Sequence, residues 1–320
     1  MNIAFYSNQL SLRGTDTALF QYAKYNEEIL GNKSFIISNQ NADLAAKPKF
    51  GQQFTNRVIL VDAWSTANTV CHKEKIDWIY ICKQGNNDGY DFDEFATFIH
   101  TVFRYNEPHG NVYSFISDWL ARDQGHNPDT HSLPYICEPL PIINQDLRSE
   151  LSIPTNAKVF GCYGGSTEFN IATVYEVIKD VVNERSDIYF IFMNINKFCD
   201  DHDQIKHLPG TYEMLYKSKF VNTCDAMIHA RSGGETFGLA VAEFATNNKP
   251  VITYKLSDEA NHIEMLGDRG IYYRGSEDLK DIINNLESYI KYDDYYKCYE
   301  SCTPTNIMNK FDKFIKGKIQ

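Results

Sequence analysis

Two carboxylates and a glycine turn carry the strongest chemical signal in the chain. Residues 229–255 read His-Ala-Arg-Ser-Gly-Gly-Glu-Thr-Phe-Gly-Leu-Ala-Val-Ala-Glu-Phe-Ala-Thr-Asn-Asn-Lys-Pro-Val-Ile-Thr-Tyr-Lys. A short apolar strand runs into Arg231, Ser232 and a Gly-Gly pair, and a helix follows from about Phe237. A strand, a tight turn and a helix N-terminus converge several backbone N–H donors on one point, an arrangement suited to phosphate or pyrophosphate. Glu235 sits in the turn, beside whatever is bound. Glu243 lies about one and a half helical turns further on. The two carboxylates could therefore address different parts of one elongated ligand.

The segment resembles the donor-binding signature of retaining GT-B glycosyltransferases, glycosyltransferase family four in particular. That signature is a Glu, seven residues and a second Glu, with Phe-Gly after the first and Pro-Val closing the run. Here these are Glu235, Phe237, Gly238, Glu243, Pro250 and Val251, in the same order. The resemblance implies an α/β GT-B fold, in which two Rossmann-like βαβ domains turn parallel sheets toward a central cleft. It also implies transfer of a sugar from a nucleotide-diphosphate sugar to a hydroxyl acceptor, with retention at the anomeric carbon. Glu235 would bond the donor sugar and Glu243 the ribose. Ser232, Thr236, Phe237, Gly238 and Leu239 would surround the diphosphate.

The elements that must position these residues follow from hydrophobic pattern. A chain of 320 residues has the length of two ordinary domains. The first series of strands is Asn2 to Ser7, Ser34 to Ser38, Arg57 to Asp62, Trp78 to Cys82, Ala96 to Phe103 and Val112 to Ile116. A helix with Leu19, Tyr22, Ala23 and Leu30 on one face follows the first strand, with Thr15 or Asp16 able to cap it. Further helices are expected over Ser65 to His72 and after Ser117. A second series opens at Val159, and its first helix aligns Ile171, Val174, Ile178, Val181 and Val182. Strands follow at Ile188 to Ile195, Ala226 to Ala230, Pro250 to Tyr254 and Gly270 to Tyr273. Helices are expected over Tyr212 to Asn222, Gly238 to Thr246, Asp258 to Leu266 and Ser276 to Ile290. Alternating strands and helices imply parallel sheets covered on both faces. The proline-bearing stretch Pro139 to Pro154 reads as a linker. The domains expected are 1–145 and 146–303, with an amphipathic helix in 304–320 that the resemblance returns to the first domain.

The same resemblance extends to the first half. Gly14 and Thr15 match a glycine loop after the first strand. His100, at the end of Thr97-Phe98-Ile99, matches a catalytic-site histidine whose side chain or backbone contacts the donor-sugar hydroxyls, against the alternative of a core histidine bonded to a backbone carbonyl. Ser117-Asp118-Trp119-Leu120-Ala121 is similar to a Ser-Glu/Asp-x-Leu turn of the family. Leu208-Pro209-Gly210-Thr211-Tyr212 resembles the turn that holds the base, so Leu208 and Tyr212 are candidates there; a plain strand-to-helix turn reads equally well. The family usually places an Arg or Lys after the first strand of the second domain. Here Gly161 to Glu168 holds no cation. Arg231, Lys197 or Lys217 could take that role, or the backbone at Gly164 and Gly165; Arg231 ranks first because it adjoins the motif. Its alternative is a pairing with Glu235 or another carboxylate.

Other patterns exclude more than they suggest. A formal net charge of -11 argues against a nucleic-acid partner. No apolar run reaches membrane-spanning length and no signal peptide is visible, so a cytoplasmic enzyme is expected. The eight cysteines lack framework spacing and read as reduced thiols, with Cys298 and Cys302 as packing residues. Asp91-Phe92-Asp93 and Asp201-His202-Asp203 match a metal-binding Asp-x-Asp pattern, but such triplets arise by chance in an acidic chain, and no metal or other cofactor is expected. An EF-hand reading around Gly89 fails because Gln84 and Phe95 stand where acids are required. His126 and His131 sit in a polar loop. No Walker loop or Gly-x-Gly-x-x-Gly occurs. Expected partners are a nucleotide-sugar donor and a glycan, glycolipid or small-glycoside acceptor. A nucleotide-sugar epimerase and a non-catalytic nucleotide-sugar-binding module remain the alternatives.

Overall fold

The computed structural model describes residues 1–89, Phe92 and 94–318. The chain divides into two compact units, Met1–Ile136 with Ser301–Gln320, and Cys137–Glu300. Asp91 and Asp93, one of the two Asp-x-Asp patterns, lie outside the described residues.

The first unit runs β1 (Asn2–Ser7), α1 (Gly14–Glu28), β2 (Lys33–Asn39), α2 (Lys47–Gln53), β3 (Val58–Val61), α3 (Trp64–Lys73), β4 (Trp78–Lys83), β5 (Ala96–Thr101), β6 (Val112–Phe115), α4 (Asp118–Asp123) and α5 (Pro128–His131). Its six strands are ordered β3-β2-β1-β4-β5-β6, all parallel. Ile3, Ala4 and Phe5 are buried in succession, as are Ile36 and Ile37, because helices cover both faces of such a sheet. The start of α1 differs from expectation. Arg13 is the N-cap residue and makes no side-chain cap bond. Asp16 instead reaches back, accepting from the Ser7 hydroxyl (2.9 Å) and from the Ser11 amide (3.0 Å) and hydroxyl (2.5 Å). That buried carboxylate closes the loop from β1 onto Gly14 and Thr15.

The second unit runs β7 (Lys158–Tyr163), α6 (Ala172–Glu184), β8 (Ile188–Met193), β9 (Ile205–Leu208), α7 (Met214–Thr223), β10 (Ala226–His229), β11 (Gly234–Glu235), α8 (Leu239–Thr246), β12 (Val251–Tyr254), β13 (Glu259–Ala260), α9 (Asn261–Leu266), β14 (Ile271–Tyr273), α10 (Ser276–Asn284) and α11 (Leu286–Tyr289). The main sheet is ordered β14-β12-β10-β7-β8-β9, again all parallel, and β11 pairs with β13 in a small parallel sheet. The expected helix over Ser276 to Ile290 is two, broken at Asn285 (φ -128°, ψ 36°). The helix expected from Asp258 starts at Asn261, because residues 259–260 are taken up in strand pairing.

The division between units falls at Ile136/Cys137 rather than at 145/146. Hydrogen bonds explain the shift. The Leu147 amide donates to Thr223 Oγ1 (2.8 Å), and Asn222 Nδ2 donates to the Ile143 and Gln145 carbonyls, so this stretch is stitched to α7. At the other end α12 (Pro304–Ile315) belongs to the first unit. Its Phe311 ring lies 5.4 Å from Phe98 and 5.9 Å from Tyr22, and Phe314 lies 5.7 Å from Phe98.

Each sheet has one point where the chain leaves adjacent strands in opposite directions. These are β1/β4 in the first unit and β7/β10 in the second. In open parallel sheets, the crevice beyond the carboxyl ends of such strands is where ligands bind.

Candidate functional site

The β7/β10 switch point positions the residues of the 229–255 segment and the end of β7. After β10 the chain passes through Arg231 and Ser232 into β11, which carries Glu235. Gly234 is required there. Its φ is +79°, and a Cβ would lie 1.9 Å from the Glu259 carbonyl oxygen, so only glycine lets β11 approach β13. Gly238 then takes a left-handed conformation (φ 86°, ψ 59°) as the N-cap of α8. The Ala242 amide closes the first helical bond onto the Gly238 carbonyl (2.9 Å), and the amides before it point out of the helix start, as at any helix N-terminus.

Glu235 is held on both oxygens. His229 Nε2 donates to Oε1 (3.2 Å), and Thr253 Oγ1 lies 2.8 Å from His229 Nδ1, fixing the ring. Arg231 donates to Oε2 (2.7 Å) and also contacts Glu168 (2.5 Å). Burial pushes the Glu235 carboxyl up, but the His229 hydrogen bond and the Arg231 charge outweigh it and bring it down to about 2. The carboxylate is therefore ionised throughout the physiological range, and its side chain keeps 19% of its surface exposed.

Glu243 lies on α8 and is buried. Lys217, from α7, donates to both of its oxygens (2.7 and 2.6 Å), and the Tyr163 hydroxyl, at the end of β7, donates to Oε2 (2.8 Å). The Lys217 ammonium also stands over the Tyr163 ring, 4.7 Å from its centre. Burial and the Glu243 charge raise the Tyr163 hydroxyl well above its ordinary range, so it stays a donor.

All three cations considered for a phosphate are paired with carboxylates. Arg231 sits between Glu235 and Glu168, Lys217 holds Glu243, and Lys197 pairs with Asp201 (2.5 Å) on the surface. Around them, Gly164 has open space where a side chain would be, and its carbonyl accepts from Asn194 Nδ2 (2.7 Å). The Ser232 amide donates to Asn170 Oδ1 (2.8 Å). Thr236, Phe237 and Leu239 are buried in the turn and the helix start. Leu208 ends β9 and Tyr212 precedes α7; both are partly exposed. Gly14 opens α1 in the first unit, with Thr15 behind it.

The His100 ring is placed as in the second of the two readings, a core histidine bonded to a backbone carbonyl. It is wholly buried in the first unit; its Nδ1 is bonded to the Tyr80 hydroxyl (2.5 Å), and its Nε2 lies 2.7 Å from the Leu133 carbonyl. Both nitrogens are spent, and burial holds the ring neutral, down to about 3. Among the described residues, no group of three or more His, Cys, Asp or Glu is placed to hold a metal ion. No helix among them is long and apolar enough to cross a membrane. The eight cysteines are free thiols.

Sequence reasoning did not single out His229, Tyr163, Glu168, Asn261 or His262 for the site. Asn261 Nδ2 donates to the Phe237 carbonyl (2.8 Å), tying α9 to the turn. His229 was within the motif, one strand residue ahead of the turn; the others come from distant segments.

No family model matches the chain, and no curated protein matches it in sequence. Solved structures do match over its whole length. Anabaena HepE in complex with UDP-glucose superposes with a TM-score of 0.74 at 14% identity, covering 99% of this chain and 100% of that one. A glycosyltransferase from Rickettsia africae gives 0.68 at 13%, covering 99% and 96%. A Listeria monocytogenes protein assigned as a UDP-N-acetylglucosamine 2-epimerase gives 0.63 at 11%, covering 100% and 96%. The chain thus has the α/β, two-domain Rossmann-like architecture of the GT-B fold, with a parallel six-stranded sheet in each unit.

Proposed function

We propose that the protein is a GT-B glycosyltransferase that moves a sugar from a nucleotide-diphosphate donor to a hydroxyl acceptor, with retention and without an obligatory metal. The observation that carries this reading is the ionised Glu235 carboxylate, fixed beside the α8 N-terminus at the β7/β10 switch point. A diphosphate there would meet the amides and positive end of the helix. Glu235 would accept hydrogen bonds from donor-sugar hydroxyls, and Glu243, braced by Lys217 and Tyr163, would address the ribose. Because Arg231, Lys217 and Lys197 are committed to carboxylates, preorganised amides would bear most of the leaving-group charge. In the chemical step the acceptor oxygen forms a bond to the anomeric carbon as its bond to the phosphate oxygen breaks. The departing phosphate takes the acceptor proton, so no enzyme nucleophile is required.

HepE is solved with UDP-glucose, which makes UDP-sugars the first donors to test. The test is release of nucleoside diphosphate from UDP-, GDP-, ADP- and TDP-sugars, with and without EDTA, in the parent and in Glu235→Ala. Chelator-resistant release that the variant loses supports the reading; equal turnover removes Glu235 from the mechanism. The epimerase-like neighbour keeps a second reading in view. An epimerase would instead return an altered nucleotide sugar with no acceptor consumed.

A further inference from the structure

In the second unit one histidine leaves both of its ring nitrogens idle. His262, the second residue of α9, is wholly buried, and neither Nδ1 nor Nε2 has a hydrogen-bond partner. Its place is specific. A Cβ on Gly238, the N-cap of α8, would lie 3.3 Å from His262 Cβ and 3.2 Å from the Cβ and Cγ of Glu235. Its ring stands edge to face on His229 at 5.0 Å, the histidine that holds Glu235. Burial, with the neighbouring His229, Arg231 and Lys255, lowers its basicity to about 3 against the pull of Glu235, so the ring is neutral.

A neutral imidazole carries one N–H donor and one acceptor nitrogen. Leaving both unspent in the interior is costly, and native structures keep few such groups. A phenyl or isobutyl side chain would fill the space without that cost. The Arg231 guanidinium is already spent on carboxylates, and the Lys255 ammonium stands over the Tyr272 ring at 4.0 Å. Among the described residues flanking Gly238, His262 therefore offers an uncommitted N–H donor next to an anion-favouring helix terminus.

We propose that His262 is a binding residue for the donor diphosphate, donating its N–H to a phosphate oxygen at the α8 N-terminus. This rests on the glycosyltransferase reading above. The ring is buried, so engagement requires a small local opening at Gly238, which carries no side chain, while the pairing of β11 with β13 holds the rest of the turn. A hydrogen bond to a charged oxygen that forms with the leaving group would act on both nucleotide affinity and turnover.

The full-length protein is compared with His262→Phe, His262→Leu and His262→Asn. The readouts are UDP affinity by calorimetry, kcat and KM for the UDP-sugar the parent turns over, and Tm. The apolar variants are expected to melt higher by roughly 2–4 °C, having lost idle polar atoms, yet to bind UDP about 10- to 100-fold more weakly. His262→Asn retains a donor near the Nδ1 position and should recover part of the affinity. Parent-like UDP binding and turnover in His262→Phe or His262→Leu would make the ring a core filler and overturn the inference. A parent that binds none of the nucleotides would overturn the glycosyltransferase reading and this inference with it. The two failures are thereby separated.

Discussion

Replacing Glu235 with glutamine keeps the side chain's shape and removes its charge, so it isolates what the carboxylate contributes to the second unit. The carboxyl falls from 4.5 to about 2 in the folded protein. At 1.36 kcal/mol per unit, this shift corresponds to about 3 kcal/mol of stability at neutral pH. The sign follows from the direction. A depressed folded value means that the contribution is fully present above pH 4.5 and is lost as pH falls through about 2. At pH 3 the linkage expression leaves less than half of this, so the gap between parent and Glu235→Gln should narrow by about 2 kcal/mol between pH 7 and pH 3. For a unit of this size the difference at neutral pH is roughly 6–12 °C in Tm. Urea titrations of both proteins at pH 7, 5, 4 and 3 measure the gap directly. A gap that stays constant across that series would refute the reasoning. It would mean that His229 and Arg231 contribute packing at this position rather than charge.

Two further perturbations follow from the same contacts. Lys217→Met leaves Glu243 buried with Tyr163 alone and should cost about 3–5 kcal/mol by thermal or urea denaturation, most of it recovered in Lys217→Met/Glu243→Leu; a double variant no more stable than the single would show the pair to be uncoupled. His100→Leu strands the Tyr80 hydroxyl and leaves the Leu133 carbonyl only a long bond from the Tyr22 hydroxyl (3.5 Å), and should cost about 1–3 kcal/mol, while UDP affinity is unchanged; weakened UDP binding would return that ring to the donor site.

The strands were legible because a parallel sheet covered on both faces turns each strand into a short, nearly continuous apolar run. β1, β7, β8 and β10 lie within two residues of where the pattern puts them. β9 was missed for the opposite reason: Ile-Lys-His-Leu lies at the sheet edge, with three of its four residues partly exposed. β13 is too short to have a period; two residues become a strand only because Gly234 lets β11 come alongside. His100 shows the limit from the other side. A histidine at a strand end reads the same whether its ring meets a ligand or a carbonyl. Only the placement of Tyr80 on the neighbouring strand and of Leu133 decides it.

The candidate site was half legible, and the division has a physical cause. Arg231, Glu235 and Gly238 are close in sequence, so a strand–turn–helix reading places them together without knowledge of the sheet order. Their partners are not local. Glu168 follows β7, Lys217 is on α7, Tyr163 ends β7 and His262 opens α9; they meet because β10 lies beside β7 in the sheet and β11 beside β13. The pairing of Arg231 comes from that same non-locality. Sequence shows a cation next to a glycine turn, whereas the fold delivers two carboxylates to it. Once Glu168 arrives, two carboxylates share the single Arg231 guanidinium, and none of its positive charge is left over for the helix start. An anion at that point must then rely on directional N–H donors held in place by the backbone, and the glycine-dependent turn and the Asn261 tie to Phe237 are the features that hold them there.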